Sequence, residues 1–152
     1  MKLDRYELTA GSNLTTFEFL SEGRKGEIVK VIQFQQMNLE NLYNLAFGDK
    51  SADTHELDDK VVTDNGDTEK VLATVVAALY AFAHHYPDAW VYATGSNSAR
   101  TRLYRMGINK YFNIVATDFD IMGEYQSEWE WYEYGKNYQA FAVRRKNSKF
   151  EL

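Results

Sequence analysis

Residues 95–105, with the sequence GSNSARTRLYR, bring together the polar side chains best suited to bind a ligand. A Gly-Ser-Asn-Ser turn follows a predicted strand, and a predicted helix begins at this turn. The first backbone N–H groups of a helix lack partners within it and carry the positive end of the helix dipole. Three arginines in the same helix add positive charge, so the segment predicts a pocket for an anion or a nucleotide-type ligand. The candidate ligand-binding residues are Gly95, Ser96, Asn97, Ser98, Arg100, Arg102 and Arg105.

The same segment also has a purely structural interpretation. Serine and asparagine before a helix are common N-caps, and arginine favours helices. Arg102 and Arg105 are three residues apart, so they are neighbours on one helix face and can pair with acids. Helix capping with a solvated, salt-bridged face therefore stays open beside the anion pocket.

Residues 118–134 form a second conspicuous stretch, rich in aromatic and acidic side chains. Within it, Glu128-Trp129-Glu130-Trp131 alternates, so a strand here places both tryptophans on one face. That face either packs within a hairpin or the core, or stays partly exposed for a partner or a sugar.

Other motifs carry no specific catalytic or metal-binding signal. The adjacent residues His84 and His85 point to different faces of a helix, and His55 lies in a separate acidic stretch. The acids of residues 58–67 do not follow the spacing of a calcium-binding loop. The sequence contains no nucleophile elbow, phosphate-binding loop or dinucleotide-binding motif. No metal site is predicted.

Hydrophobic periodicity indicates the elements that position these residues. Alternation of apolar side chains up to residue 36 predicts a meander of three strands. The clearest signal is a buried helix over 68–85, where apolar residues recur at helical spacing. A short helix over 39–47 is predicted from leucines at the same spacing, with Gly48 as its C-terminal glycine. Further strands are predicted at 58–63, 90–94, 114–116 and 139–143, and a further helix at 98–107.

The predicted order is β-β-β-α-β-α-β-α-β-β in a single domain spanning residues 1–152. The β-α-β stretch over 60–94 requires a crossover between two strands of one sheet. Together with the early meander, this makes the sheet mixed and largely antiparallel. The expected fold class is a layered α/β or α+β domain.

Composition excludes several functional classes. The chain has 152 residues, with 17 basic against 22 acidic side chains and a net charge of −5, which argues against nucleic acid as a partner. Cysteine is absent, which excludes disulfides and thiol chemistry. No signal peptide or bilayer-spanning run is recognisable, so a cytoplasmic protein without a membrane partner is expected. Self-association stays open.

Residues 59–116 resemble the second half of the GCN5-related N-acetyltransferase (GNAT) fold. The resemblance rests on the order of elements and on Asn97 after a strand, the Leu103-Tyr104 pair in the next helix, and Gly107 followed by an apolar residue. In that family the equivalent tyrosine often protonates the leaving coenzyme A thiolate. The resemblance therefore implies Tyr104 as a catalytic residue and acetyl-CoA as the cofactor.

The chain departs from the family where the coenzyme A pyrophosphate is bound. The family uses a Gln/Arg-x-x-Gly-x-Gly/Ala loop, whereas residues 63–70 here read TDNGDTEK, with one glycine and three acids that would repel a pyrophosphate. As a whole, the chain is also similar to an uncharacterised bacterial family of comparable length, which implies no activity.

Several functions are therefore open. The first is a protein with an anion or nucleotide-type pocket at 95–105. The alternatives are an acyl-CoA-dependent N-acetyltransferase-like enzyme, an RNA- or nucleotide-binding role for the arginine helix, and a non-catalytic protein–protein interaction module. Such a module would use either the Trp129 and Trp131 face or the arginine helix.

Overall fold

A computed structural model of the chain describes residues 4–58, 61, 63–94 and 98–146, with only the backbone at 98–100. Nine strands and three helices lie in these residues. The strands are β1 (Thr9–Ala10), β2 (Thr16–Gly23), β3 (Gly26–Gln36), β4 (Leu42–Lys50), β5 (Leu57–Asp58), β6 (Trp90–Ala93), β7 (Phe119–Tyr125), β8 (Glu128–Trp131) and β9 (Ala140–Arg145). The helices are α1 (Thr68–His85), α2 (Ser98–Lys110) and α3 (Phe112–Asp118). None of these helices is long and apolar enough to cross a bilayer.

The described strand pairs are antiparallel except for β4 with β6, which is parallel. The protein is therefore α+β with a mixed, mostly antiparallel sheet, and the predicted fold class is confirmed.

The chain divides into two compact units. The first comprises Met1–Gln35 and Leu45–Phe82, and the second comprises Gln36–Asn44 and Ala83–Leu152. Each passage of the chain between the units lies inside a regular element, namely β3, β4 and α1. A single domain over 1–152 stays a prediction.

The first unit is built on the predicted meander. β2 pairs antiparallel with β1 and β3, and Phe17 of β2 lies opposite Ile32 of β3. Strand alternation places Phe17, Ile32 and Phe34 on the core side, where all three are buried. Phe34 stacks on Phe82 of α1 with ring centroids 4.2 Å apart, so the helix covers this side. Helix α1 spans Thr68–His85, so the helix predicted over 68–85 is confirmed.

A buried ion pair lies within the core of the first unit. Lys30 of β3 is 1% exposed and forms an ion pair with Asp49 of β4. The Lys30 ammonium also donates to the Thr63 carbonyl oxygen at 2.7 Å, and the Thr63 hydroxyl and N–H donate to Asp49. A buried charge is tolerated only when it is paired and hydrogen-bonded. The three residues satisfy one another and hold the segment that leads into α1.

The second unit contains the remaining strand pairs. The first residues of β4 run parallel to β6, with Leu42 opposite Trp90. β9 then pairs with both β6 and β7, and β8 pairs with β7. The strand residues on the core side of these pairs, together with one residue each from α2 and α3, are buried. They are Val91, Ala93, Tyr104, Val115, Phe119, Ile121, Phe141 and Val143.

The predicted helix over 39–47 is wrong, because Leu42–Lys50 is strand β4. Leucines at helical spacing suggested one helix face, but Leu39 is 68% exposed. The buried residues follow strand alternation instead, with Leu45 and Phe47 both in the core. Gly48 does not end a helix. A β-carbon there would lie 2.5 Å from the Asp58 carbonyl oxygen of the neighbouring strand, so the close strand approach requires glycine.

The predicted strand at 114–116 is also wrong, since these residues belong to helix α3. β-Branched side chains suggested a strand, but burial of Val115 on one helix face outweighs this weak propensity. The helix predicted over 98–107 continues to Lys110. The strand parallel to β6 is β4 rather than the one predicted at 58–63, of which residues 59, 60 and 62 lie outside the described residues.

We expect Lys30→Met to lower the free energy of unfolding by about 3–5 kcal/mol, because it leaves Asp49 charged and partly buried without its cation. The double variant Lys30→Met/Asp49→Leu should recover part of this loss. The matched control is Lys50→Met, whose partner Glu18 is 3.2 Å away at the half-exposed surface, and it should cost less than about 1 kcal/mol. Urea denaturation measures all three. Equal midpoints for Lys30→Met and the wild type would contradict this role.

Candidate interaction surface

The structure describes only part of the predicted anion pocket. Gly95, Ser96 and Asn97 lie outside the described residues, and Ser98 and Arg100 lie in α2 without described side chains. Of the two remaining members, Arg102 is exposed and Arg105 is half-buried. Tyr104, the predicted catalytic residue, is 6% exposed. The anion pocket and the catalytic role of Tyr104 therefore stay predictions.

Arg105 forms a hydrogen bond within the second unit. Its guanidinium donates to the Tyr138 carbonyl oxygen at 2.9 Å, while its Nε atom is buried without a hydrogen-bond partner among the described residues. Arg102, one turn earlier on α2, faces solvent. The two arginines, predicted to share one face, thus have different surroundings.

Tyr138 organises the covered side of the β7–β8 hairpin. Its side chain is fully buried, and its ring lies against Gly123 of β7, where a β-carbon would be 2.4 Å from a ring atom. The Tyr138 hydroxyl donates to the Glu130 carboxylate at 2.9 Å and accepts from the Glu133 N–H at 2.9 Å. Lys136 completes the cluster by binding the same Glu130 oxygen at 2.8 Å. The Glu130 side chain of β8 is therefore held by two partners from the following loop, Tyr138 and Lys136.

These contacts shift several pKa values. Hydrogen bonds from Lys136 and then from Tyr138 lower the pKa of Glu130, and the bond to Glu130 raises the pKa of Lys136. Burial is the main reason that the pKa of Tyr138 is raised. Burial likewise raises the pKa of Tyr132, whose hydroxyl donates to Asn109 of α2. At neutral pH the cluster thus holds a carboxylate, an ammonium and two neutral phenols.

The opposite side of the same strands carries large apolar side chains exposed to solvent. Because side chains alternate along a strand, Trp129 and Trp131 lie on the face opposite to the half-buried Glu130. Trp129 is 40% exposed and Trp131 is 64% exposed. This confirms the predicted strand, with both tryptophans on one face. The surface, called here the aromatic sheet face, consists of Trp90, Tyr92, Met122, Trp129 and Trp131.

The members of this face lie on β6, β7 and β8, and β9 lies between β6 and β7. Tyr92 of β6 lies opposite Ala142 of β9, which lies opposite Met122 of β7, and Met122 lies opposite Trp131 of β8. The small side chain of Ala142 leaves space above β9. Across it, the rings of Tyr92 and Trp129 meet with centroids 5.6 Å apart.

The borders of the aromatic sheet face are charged. The Arg144 guanidinium lies over the Trp90 ring, 4.6 Å from its centroid, and 3.8 Å from the Asp120 carboxylate. Glu124 lies opposite Trp129 in the hairpin. The pKa of Tyr92 is raised mainly by the burial of Tyr92 itself and secondly by the negative charge of Glu124. Residues 119–139 are strongly acidic. Their acids are Asp120, Glu124, Glu128, Glu130 and Glu133, and their single basic residue is Lys136.

In the first unit, the turn before α1 is occupied by internal hydrogen bonds. The Asp67 carboxylate accepts from the hydroxyls of Tyr6 and Ser21, both at 2.6 Å. Asn65 is 1% exposed, and its amide donates to Ser21 and to the Gly26 carbonyl oxygen. A hollow of about 480 Å³ borders this turn. Its lining includes Asp4, Arg24, Asp64, Asp67, Glu69 and Lys70.

The acids at this turn therefore have a structural role that the sequence alone did not reveal. At the turn that the GNAT resemblance compared with a phosphate-binding loop, the Asp67 carboxylate links the start of α1 to Tyr6 and Ser21. The hollow mixes acids with two basic residues, and among the described residues no cluster of His, Asp or Glu side chains is arranged to hold a metal ion. The sequence signal for this role was a polar turn before α1 together with one polar residue, Ser21, on the otherwise apolar core face of β2.

Comparison with known proteins places the chain in a family. Residues 2–146 match DUF6934, a family of unknown function, and the chain belongs to this family. No curated protein and no solved structure gives a significant match. The predicted relation to an uncharacterised family is confirmed, whereas the GNAT resemblance is not.

We expect the Glu130 cluster to make stability depend on pH. Since the pKa of Glu130 is lowered from 4.5, its carboxylate stabilises the folded state above that value, and this contribution is lost as the pH falls. The raised pKa of Lys136 gives a contribution that is present below 10.5 and lost as the pH rises. Glu130→Gln should therefore melt below the wild type at neutral pH, and the difference should shrink under acid.

Melting temperatures of the wild type and Glu130→Gln, followed by circular dichroism from about pH 3 to about pH 8, measure this effect. Glu128→Gln is the matched control, because this substitution removes the same charge from an exposed position on the same strand. A Glu130→Gln difference that stays constant across this range would contradict the assigned ion pair.

Proposed function

We propose that this protein is a non-catalytic binding module that recognises a positively charged protein segment through the aromatic sheet face. The observation that carries the proposal is the exposure of both Trp129 and Trp131 on one face of a strand whose other face is held by the bonds of Glu130 to Tyr138 and Lys136. A contiguous exposed apolar surface on a folded domain marks an interaction site.

The residue types support a protein partner. Tryptophan is enriched among the few interface residues that contribute most of the binding energy, because a large rigid ring buries much area at little conformational cost. Tyr92 and Met122 extend the apolar surface beside the two tryptophans. The hairpin beneath is held by the Tyr138 cluster, so the rings are presented on a fixed support.

The charge of the hairpin supports a cationic partner. Asp120 and Glu130 are paired with Arg144 and Lys136, so the remaining negative charge of residues 119–139 comes from Glu124, Glu128 and Glu133. This charge attracts a basic segment and repels an acidic one. Cations also bind favourably over tryptophan rings. Arg144 already makes such a contact with Trp90, which provides an example of this geometry on the same face.

The enzyme alternative has less support from the contacts described. An acetyltransferase needs a phosphate-binding loop before α1, and there the Asp67 carboxylate is engaged by Tyr6 and Ser21. An anion pocket at 95–105 depends on three residues outside the described part of the chain, and Arg105 is bonded to the Tyr138 carbonyl oxygen. We therefore favour the binding module.

The test is to select ligands from a random 12-residue peptide library displayed on phage, using the full chain as bait. We expect the enriched peptides to combine apolar residues with an excess of lysine and arginine. Trp131→Ala should lower the affinity for the best purified peptide at least about 30-fold, which corresponds to a binding hot spot of about 2 kcal/mol. Isothermal titration calorimetry measures the affinities, and thermal melting should show little loss of stability because the ring is exposed.

The matched control is Tyr134→Ala. Tyr134 is 70% exposed, but its ring lies near Phe112 of α3 rather than on the aromatic sheet face. This variant should bind like the wild type. Enrichment of acidic peptides, or equal binding by Trp131→Ala and the wild type, would refute the proposed function.

A further inference from the structure

Among the residues that the structure describes, β8 is the last strand in its sheet, and its hydrogen bonds to β7 show which of its backbone groups face outward. The Tyr132 N–H donates to the Ile121 carbonyl oxygen at 3.0 Å, which makes this a hydrogen-bonded pair of the antiparallel ladder. Such pairs alternate with pairs that share no hydrogen bond. Gly123 with Glu130 is therefore hydrogen-bonded, whereas Glu124 with Trp129 and Met122 with Trp131 are not.

It follows that the backbone N–H and C=O groups of Trp129 and Trp131 point away from β7, toward the outer edge of β8. Both residues also carry the exposed rings of the aromatic sheet face. The same two residues thus offer hydrogen-bonding groups along the edge and apolar surface above it. Recognition of an extended peptide by an added strand uses this combination of backbone pairing and alternate side-chain contacts.

We propose that the partner segment binds as an additional β-strand on the outer edge of β8, with its backbone paired to Trp129 and Trp131. This inference rests on the proposed function and specifies the conformation of the partner. The segment is extended, and its alternate residues pass over the two rings. Its lysine and arginine side chains meet Glu128 at the edge and the acids of the hairpin.

A second copy of this chain is a poorer occupant of the edge. If two β8 strands pair antiparallel with all tryptophans on one face, the directly opposite residues are Trp with Trp and Glu with Glu. Like charges directly opposite each other destabilise a strand pair. Charged side chains on edge strands also discourage self-association in general. A basic partner strand converts the same charges into attraction.

The experiment uses the Trp131-dependent peptide obtained by phage selection, synthesised in two N-methylated forms. One form carries N-methyl groups on the odd-numbered residues of the peptide and the other on the even-numbered residues. In an added strand only alternate N–H groups face β8, so one form should lose at least about 30-fold in affinity while the other stays within about threefold of the parent. Calorimetry with the full chain measures both.

The outcomes separate this inference from the proposed function. Loss in one form only supports strand addition. Equal affinities of both forms and the parent, with binding still abolished by Trp131→Ala, would overturn strand addition but leave the aromatic sheet face as the binding surface. Equal loss in both forms would also overturn it, because a bound strand has one face toward β8. Light scattering of the free chain tests whether a second copy binds the edge of β8. A dimer that is lost in Trp131→Ala would overturn the assignment of a basic partner segment to this edge.

Discussion

The packing of the Tyr138 ring against Gly123 determines which face of the β7–β8 hairpin is covered. The ring needs the space that a β-carbon at position 123 would fill, and its hydroxyl binds the Glu130 carboxylate on the neighbouring strand. Glu130 is thereby directed inward. Since strand side chains alternate, Trp129 and Trp131 must then point outward. The exposed aromatic surface is therefore a direct consequence of one buried contact.

A different polar contact organises the first unit. Lys30 and Asp49 lie on core-facing positions of two strands, and their charges are satisfied by Thr63 in the segment that leads to α1. Asp67 then binds Tyr6 and Ser21 at the first turn of that helix. Buried polar groups of this kind require complete hydrogen bonding, so they restrict the segment to one arrangement. In this member of DUF6934, the acidic turn before α1 serves the fold.

The periodicity of apolar side chains correctly predicted helix α1 and strand β8. The apolar spacing of α1 and the alternation of Glu128-Trp129-Glu130-Trp131 both gave the correct element. Two predictions failed where tertiary packing decides. The leucines near residue 42 fit a helix, yet Phe47 packs as part of a strand, and the β-branched residues near Val115 fit a strand, yet they form α3.

The candidate site was predictable only in part. The alternation indicated that both tryptophans share a face, but whether that face is buried depends on Tyr138, which lies in the loop after β8 and outside the alternating segment. Likewise, the acidic residues before α1 were recognised as unsuited to bind a pyrophosphate, whereas their hydrogen bonds to Tyr6 and Ser21 required the tertiary structure. Contacts between distant segments are invisible to periodicity.

The most direct test of the aromatic sheet face is residue-resolved NMR of the full chain, titrated with the selected basic peptide. We predict that the largest shift changes occur at the backbone amides and indole N–H groups of Trp129 and Trp131, with slower amide exchange at both backbone positions. Changes confined to residues 98–105, with Trp129 and Trp131 unaffected, would contradict this account and favour the arginine helix as the binding site.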